Sequence, residues 1–594
     1  MSGRWSTTLD ELLRARAADP GVGLRAEDRV WSWAEVVAES ARRAALLRAL
    51  RPAGRPWHVG VMLENVPEFP LLLGAAALSG AVIVGLNPTR VGAELARDID
   101  HTDCSLVITD AVHLAQLRTA APDFPAERLL CVDDPEWAAA LARYEGAELP
   151  GAGERPAVEE DEPSAVGERP GVDGRPGAGE QQRPEADGRP RVEDTFMLIL
   201  TSGTTGHPKA VICSQGKIAA QGASVVAMER LTGADVAYCA MPLFHSNAII
   251  TCWAPAVAAG AELVLRRRFS ASGFLPDVRR FGVTYANYVG KPLSYILATP
   301  EHPDDADNPL TRVFGNEGGP QDVERFARRF GCTVRDGFGS TEGGLSFVPV
   351  PDMPAGALGR PNGEIRILNP DTRAECPPAV FDAAGRLTNV EAAVGELVNV
   401  GGAGSFEGYY NNPAATAQRM REGWYWSGDL AFRTEDGLVF FAGRSGEWLR
   451  VGGENFGATP ITRILSRHPD IALATVYGVP DEAAGDQAMA ALVLREGTTF
   501  DPTGFADWLA GQADLSGAWH PRYIRIAAAL PQTSTNKILT RVLVRQAWYT
   551  DPDPLWWRAG REGPYRLFTE ADRKSLEAAF GDRGRAHILG LLDR

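Results

Sequence analysis

Ten residues, Thr201 to Ala210 (TSGTTGHPKA), combine two glycines, a proline, four hydroxyl side chains and one lysine. Gly203 and Gly206 admit backbone conformations with positive φ and close approach of a ligand, so that successive N–H groups can line one concavity. Such a nest binds anions. Thr201, Ser202, Thr204 and Thr205 add neutral donors, and Lys209 adds a compact charge suited to phosphate. The apolar run before it, Thr195 to Leu200 (TFMLIL), has strand length, and from Ser214 onward (SQGKIAAQGASVVAMERL) the pattern is helical, which makes the ten residues the loop between strand and helix. A plain Ser/Thr/Gly turn is the competing reading; the strand in front and the lysine at this spacing favour a polyphosphate site.

The spacing is not that of the Walker loop, where Gly is followed four residues later by Gly-Lys-Ser/Thr. Here Ala210 follows Lys209, so the loop lacks the hydroxyl that usually ligates magnesium, and an acidic residue elsewhere must supply that ligand.

LTSGTTGHPKAV resembles the phosphate-loop signature of the adenylate-forming superfamily, which includes acyl-CoA synthetases, luciferases and nonribosomal-peptide adenylation domains. Further motifs of that family follow in order, and the resemblance spans about residues 8 to 548. It implies that a carboxylate attacks the α-phosphate of ATP, giving an acyl-adenylate and pyrophosphate, and that a thiol then takes the acyl group.

In DGFGSTEGG, Asp336 to Gly344, the resemblance assigns the adenine and magnesium motif. Asp336, Gly337 and Phe338 would line adenine, Phe338 standing where the family usually has Tyr and keeping only its stacking face. Thr341 would touch the α-phosphate, and Glu342 would bind Mg²⁺. Gly318, Gly319 and Pro320 of NEGGPQD match the turn along adenine. Asp429 of WYWSGDL matches the ribose-binding aspartate, whose carboxylate can accept both ribose hydroxyls, and Arg444 of GRSG the second ribose contact.

The resemblance extends into the last part of the chain. Gly446 occupies the hinge position, usually Asp or Lys, about which the small domain rotates between half-reactions. Gly453 in RVGGENFG would leave room for the thiol channel that receives CoA. Ala458, Pro460 and Thr462 depart from the Pro-x-Glu-hydrophobic-Glu pattern that normally follows. Lys537 in PQTSTNKILTRVL would reach the carboxylate and α-phosphate oxygens during adenylation.

For the acid, MPLFHSNAIITCWAP resembles the segment whose histidine, here His245, gates or lines the acyl pocket, with Asn247 and Trp253 nearby. ANYVGKPLSYIL would give another wall, with Tyr288 and Val289 facing in. Both segments are largely apolar, without an acidic residue for an α-amino group or an obvious cation for a second carboxylate. A fatty, aromatic or steroid-side-chain acid fits them better than an amino acid.

Composition narrows the classes. A formal charge of −16 and a pI near 5.2 disfavour nucleic acid and anionic membranes as partners. The seven cysteines form no C-x-x-C pair and are expected as buried thiols in a reducing cytosol. The N-terminus is polar, and the longest apolar run, Leu71 to Leu86, falls short of a bilayer span and is expected as a core helix followed by a buried strand. Only five of 60 basic residues are lysines (209, 217, 291, 537 and 574), so an ammonium at Lys209 and Lys537 is used for its compact geometry where arginine serves elsewhere.

At 594 residues the chain exceeds a single core. Residues 8 to 145 alternate helical patterns with short apolar runs (HVGVML, AVIVGL, CSLVITD, RLLCVDD), and the rhythm resumes after residue 192 with AELVLRR, VTYANYV and TRVFGNE. Between them, 150 to 191 is a Gly/Pro/Glu/Arg-rich insertion with too few apolar residues to offset its ordering entropy, and disorder is expected there. GDLAFR and LVFFAGR flank a Glu-Asp-Gly turn and predict a hairpin.

The expected fold is α/β, with a large N-terminal adenylation domain, 1 to 443, of doubly wound sheets and a small β-barrel-like part. A small mobile α+β domain, 444 to 548, and a helical tail, 549 to 594, would follow. The expected activity is adenylation of an acid followed by transfer to CoA, in a protein without nucleic acid or membrane insertion and compatible with oligomerisation. Transfer to a carrier-protein thiol or an amine, with an acid as small as nitrite, would use the same first-half motifs. A noncatalytic binding protein on the same fold would have no need of Lys209, Glu342, Asp429 and Lys537 together.

Overall fold

A computed structural model describes residues 5–150, 189–201 and 209–593, apart from 352, 355, 384–386, 445–447, 452–453, 484, 513, 516, 533–537, 561–562 and 591. The expected insertion lies almost wholly outside these residues, as do Ser202 to Gly206, Gly446, Gly453, Lys537 and the side chains of Pro320 and Arg444.

The segments with continuous apolar character became the interior strands of two seven-stranded sheets, as both-face burial by helices requires. In one, His58–Met62 lies between Val82–Gly85 and Leu106–Thr109, with Leu129–Cys131 outside; on the other side come Thr195–Thr201, Lys209–Ser214 and Tyr409–Tyr410. In the second, Thr333–Gly337, Arg312–Asn316, Tyr285–Val289, Val236–Cys239, Glu262–Leu265 and Val22–Ala26 run parallel, and Arg29–Ser32 closes the edge antiparallel.

Helix Glu68–Ser79 (EFPLLLGAAALS) has no polar face and is correspondingly buried, followed by the buried strand Val82–Gly85, in line with the reading of Leu71 to Leu86. Helix Trp33–Ala49 packs beside it. A capping box starts that helix: Glu35 N–H donates to Ser32 Oγ at 3.2 Å, and Ser32 N–H donates to Glu35 Oε2 at 2.7 Å. The two sheets are stapled by Asn65, which donates to the carbonyl of Met241 and accepts from Leu243 N–H, both at 2.9 Å.

A third, antiparallel sheet supplies the barrel-like part: Phe347–Val348, Ala357–Pro361, Val439–Arg444, Trp424–Arg433, Gly395–Asn399 and Ile365–Leu368. Its middle pair is the predicted hairpin. Thr434 N–H donates to Leu438 O and Gly437 N–H to Thr434 O across the turn.

The C-terminal unit has its own core around a sheet of Ile471–Pro480, Asp486–Leu494, Tyr523–Ile526, Leu555–Trp557 and Arg566–Leu567. The tail, expected to be helical, thus first adds two strands to this sheet, because Trp556 and Trp557 alternate faces beside Tyr523 and Phe500. Helix Glu570–Asp582 then covers the strands and buries Phe580 against Trp548 at 5.7 Å. All seven cysteines are buried and free. Among the described residues no helix is long and apolar enough to cross a membrane.

Phe580 is fully buried, so Phe580→Ala should destabilise the C-terminal unit by about 3–5 kcal/mol, the usual cost of emptying such a site. Urea unfolding followed by tryptophan fluorescence checks this; a loss below about 1 kcal/mol would mean that the tail helix contributes little.

Candidate active site

The carboxyl ends of parallel strands, where crevices form in open α/β sheets, hold most of the residues singled out above. Asp336 ends Thr333–Gly337, Gly318 follows Arg312–Asn316, Lys291 follows Tyr285–Val289, and His245 follows Val236–Cys239.

The phosphate loop differs from expectation in its frame. Lys209–Ser214 is itself a strand, antiparallel to Thr195–Thr201 with Thr201 opposite Lys209, so residues 202–208 connect two strands and the helix begins only at Gln215. KAVICS buries Ala210, Val211 and Cys213, and that burial overrides the short loop-like reading. Thr201 Oγ1 donates to the carbonyl of Lys209 at 3.3 Å.

Lys209, Thr341 and Glu342 converge. The Lys209 ammonium lies 5.4 Å from the centre of the Tyr409 ring. Tyr409 O–H donates to Glu342 Oε1 at 2.8 Å, and Arg419 Nε donates to the same tyrosine oxygen at 3.4 Å. Burial and the nearby Arg419 hold the Lys209 pKa below its ordinary value, against the opposing pull of Glu342. Thr341 Oγ1 is 2.8 Å from Ser246 Oγ, which ties the Thr341–Glu342 segment to the residue after His245.

The His245 imidazole packs 4.4 Å from Phe244, and burial, with a smaller contribution from Arg90, lowers its pKa to about 4. It is therefore neutral at pH 7, an uncharged wall rather than a cation. Trp253 stacks on Phe196 at 5.8 Å inside the core, at the end of a five-residue π-helical turn Ile249–Trp253. Asn247 carries a relay, accepting from Asn287 and donating to Tyr288 O and Asn316 Oδ1; Asn316 donates in turn to Gly337 O at 2.8 Å.

On the adenine side, Asp336 Oδ2 accepts from Tyr288 O–H at 2.9 Å and from Gly318 N–H at 2.5 Å. The Tyr288 hydroxyl, expected to face the acid, is thus directed onto Asp336. A Cβ at Gly318 would sit 2.4 Å from Asp336 Oδ2 and 2.7 Å from the Tyr288 hydroxyl, so only glycine fits there. Glu317 just before it holds a left-handed φ of 62°, a strained conformation of the kind found at ligand clamps. Gly319 caps helix Pro320–Phe330. Phe338 meets Phe347 edge-on at 5.5 Å and Phe441 at 6.2 Å. Asp429 lies directly opposite Arg444 in the hairpin, a register that places the two ribose candidates side by side.

Lys291, in a segment expected to lack an obvious cation, precedes helix Pro292–Leu297, where burial lowers its pKa while the carboxylates of Asp322 and Glu317 favour its charged form. Tyr409, Arg419 and Lys217 were missed by sequence reasoning. Only Lys217 carried a signal, as one of five lysines.

Glu342 is the carboxylate that a divalent cation would take here. Among the described residues no three ligating side chains converge, so the ion would take one carboxylate and complete its shell with phosphate oxygens and water, as Mg²⁺ does.

A family model for AMP-binding enzymes matches residues 14–410, and one for the AMP-binding enzyme C-terminal domain matches 461–537. The chain belongs to the AMP-binding enzymes, within the adenylate-forming superfamily. It is 46% identical over 585 residues to the steroid-22-oyl-CoA synthetase of Rhodococcus jostii, covering 98% of this chain and 99% of that one. It is 47% identical over 550 residues to the medium/long-chain-fatty-acid–CoA ligase FadD17 of Mycobacterium tuberculosis, covering 92% and 98%. Among solved structures, the anthranilate CoA ligase AuaEII in complex with anthranoyl-AMP matches with TM-score 0.74 at 18% identity over 92% of this chain and 99% of that one. ATP-bound MatB from Rhodopseudomonas palustris matches at 0.73 and 21%, over 92% and 99%.

Burial raises the Asp336 pKa to about 7, against the lowering effect of its hydrogen bonds from Tyr288 and Gly318. The folded state then binds a proton that the unfolded chain has released, so this group makes stability fall as pH rises from about 4 to about 7, with no further change above. Asp336→Asn should flatten that dependence. Urea midpoints of both proteins at pH 5 to 8 test it; parallel curves would show that Asp336 is charged throughout.

Proposed function

We propose that the protein is an AMP-forming CoA ligase for a bulky or long apolar carboxylic acid. The observation that carries this reading is the convergence of Lys209 with Thr341 and Glu342, reached from two separate parts of the chain and joined through Tyr409 and Ser246.

The phosphate loop and Lys209 would hold the β- and γ-phosphates, and the Thr341 hydroxyl would hold an α-phosphate oxygen. Glu342 would hold Mg²⁺, which when bound offsets phosphate charge. The acid's carboxylate attacks the α-phosphorus, the bond to the bridging oxygen breaks, and pyrophosphate leaves. Lys537 would steady the attacking carboxylate and the α-phosphate. Asp429 and Arg444 would fix the ribose, and Asp336, Phe338 and the Gly318–Pro320 turn the adenine. In the second half, the CoA thiol attacks the acyl carbon and AMP departs, with Gly453 leaving room at the thiol channel.

The neutral His245 and the apolar segments around it support an acid whose remainder, beyond the reacting carboxylate, is uncharged and hydrophobic. Two relatives sharing nearly half of all residues, named for steroid-22-oyl and medium/long-chain substrates, support the same class. A steroid side-chain acid and a long-chain fatty acid are its two leading members.

Release of AMP and pyrophosphate should be measured with acetate, an amino acid, nitrite, fatty acids of increasing length and a steroid-22-oic acid, each with and without CoA. CoA-dependent turnover at least tenfold better with a hydrophobic acid is expected, and AMP formation indifferent to CoA would point to an amine or a carrier-protein acceptor. Lys537→Ala should lose adenylation at least a hundredfold yet still convert supplied acyl-adenylate and CoA to thioester. Full adenylation by that variant would overturn the assignment.

A further inference from the structure

Lys217 is fully buried although it carries a charge. It sits in the first turn of helix Gln215–Glu229, where its N–H donates to the capping Ser214 Oγ at 3.1 Å. Its ammonium donates to three backbone carbonyls: Thr341 O at 3.1 Å, Glu342 O at 3.2 Å and Ile212 O at 3.4 Å. An ammonium has three donors, and three acceptors use them all. Burying such a charge is costly unless its hydrogen bonds are complete, so the arrangement is stable only with all three carbonyls in place.

Those carbonyls come from two places. Ile212 lies in the strand that leaves the phosphate loop, three residues after Lys209, whereas Thr341 and Glu342 belong to the metal motif 124 and 125 residues further along from Lys217. With both carbonyls turned inward onto the ammonium, the Thr341 and Glu342 side chains are free to meet Ser246 and Tyr409. The following residue, Gly343, closes the turn with φ of +69°, where a Cβ would lie 3.0 Å from Ser405 Cβ and 3.8 Å from Lys217 Cε. The compact ammonium places its three donors on these three carbonyls inside a fully buried site.

We propose that Lys217 is a positioning residue for the adenylation half-reaction. It fixes Glu342 and Thr341 relative to the phosphate-loop strand and thereby sets the affinity of the enzyme–nucleotide complex for its divalent cation. The proposal rests on the reading of Glu342 as the metal-binding carboxylate.

The test uses the full-length enzyme and its variant Lys217→Met, which removes all three donors at similar volume. Mn²⁺ binding in the presence of non-hydrolysable α,β-methylene-ATP is read by electron paramagnetic resonance, and the two half-reactions are assayed separately. The expected result is a Kd for Mn²⁺ raised about tenfold and an adenylation rate lowered at least as much, with thioester formation from supplied acyl-adenylate within threefold of wild type. Unchanged Mn²⁺ affinity, or an equal fall of both half-reactions together with the unfolding midpoint, overturns the proposal. If Lys217→Met is not recovered folded, Lys217→Gln is judged on the same two readouts. Glu342→Ala in parallel separates the two ideas: if it leaves Mn²⁺ affinity unchanged, the reading of Glu342 fails, whereas a shift in Glu342→Ala without one in the Lys217 variant sinks the positioning role alone.

Discussion

Two residues of strand, Tyr409–Tyr410 laid antiparallel on Val211 and Ala210, are the constraint on which the candidate site depends. This pairing closes the edge of the sheet that launches the phosphate loop, with chain that arrives some 200 residues later. It sets the Tyr409 ring beneath the Lys209 ammonium and its hydroxyl against Glu342. The same stretch of chain passes Ser405, whose N–H donates to Gly343 O at 2.8 Å, so the Thr341–Gly343 turn is held from its backbone as well as its side chains. A side chain that must meet a developing charge within a few tenths of an ångström needs this kind of over-determination.

The charges follow the same economy. The protein is acidic overall, yet Lys209 and Arg419 stand close enough for the arginine to lower the lysine's pKa. Two cations approaching each other under partial burial repel, and a bound anion would relieve that repulsion. Glu342 moderates the repulsion in the free enzyme. At Asp336 the sign reverses: burial favours the protonated form, and the hydrogen bonds from Tyr288 and Gly318 only partly offset it.

The strands of the two α/β sheets were legible because parallel strands buried on both faces are written as continuous apolar runs, and HVGVML, VTYANYV and TRVFGNE could scarcely be anything else. The hairpin at Glu435 to Gly437 was legible from its turn chemistry. What escaped was whatever depends on contacts distant in sequence. The strand Lys209–Ser214 exists because its partners Thr195–Thr201 and Tyr409–Tyr410 exist, and nothing in KAVICS announces them. The tail strands Leu555–Trp557 and Arg566–Leu567 are short edge additions whose tryptophans could equally have belonged to a helix face. Tyr288 and Trp253 were placed at the acid pocket by their segments, but one reaches Asp336 and the other stacks in the core, since local sequence does not say where a side chain ends.

The C-terminal unit meets the large one at Tyr295 and beside Asp336. Gln532 Nε2 donates to the Tyr295 hydroxyl at 2.5 Å, and Arg463, its pKa lowered by burial, feels the charge of Asp336. Gln532 also pairs with Ile538, so it stands at the base of the segment that carries Lys537. Tyr295 also packs against the apolar core of the C-terminal unit, so the contact joins apolar and polar groups. Ala458, Pro460 and Thr462 stand where the resemblance expects Pro-x-Glu-hydrophobic-Glu, so Pro460 and Thr462 replace the two acidic side chains of that pattern, and Arg463 beside them is partly buried within reach of the charge of Asp336.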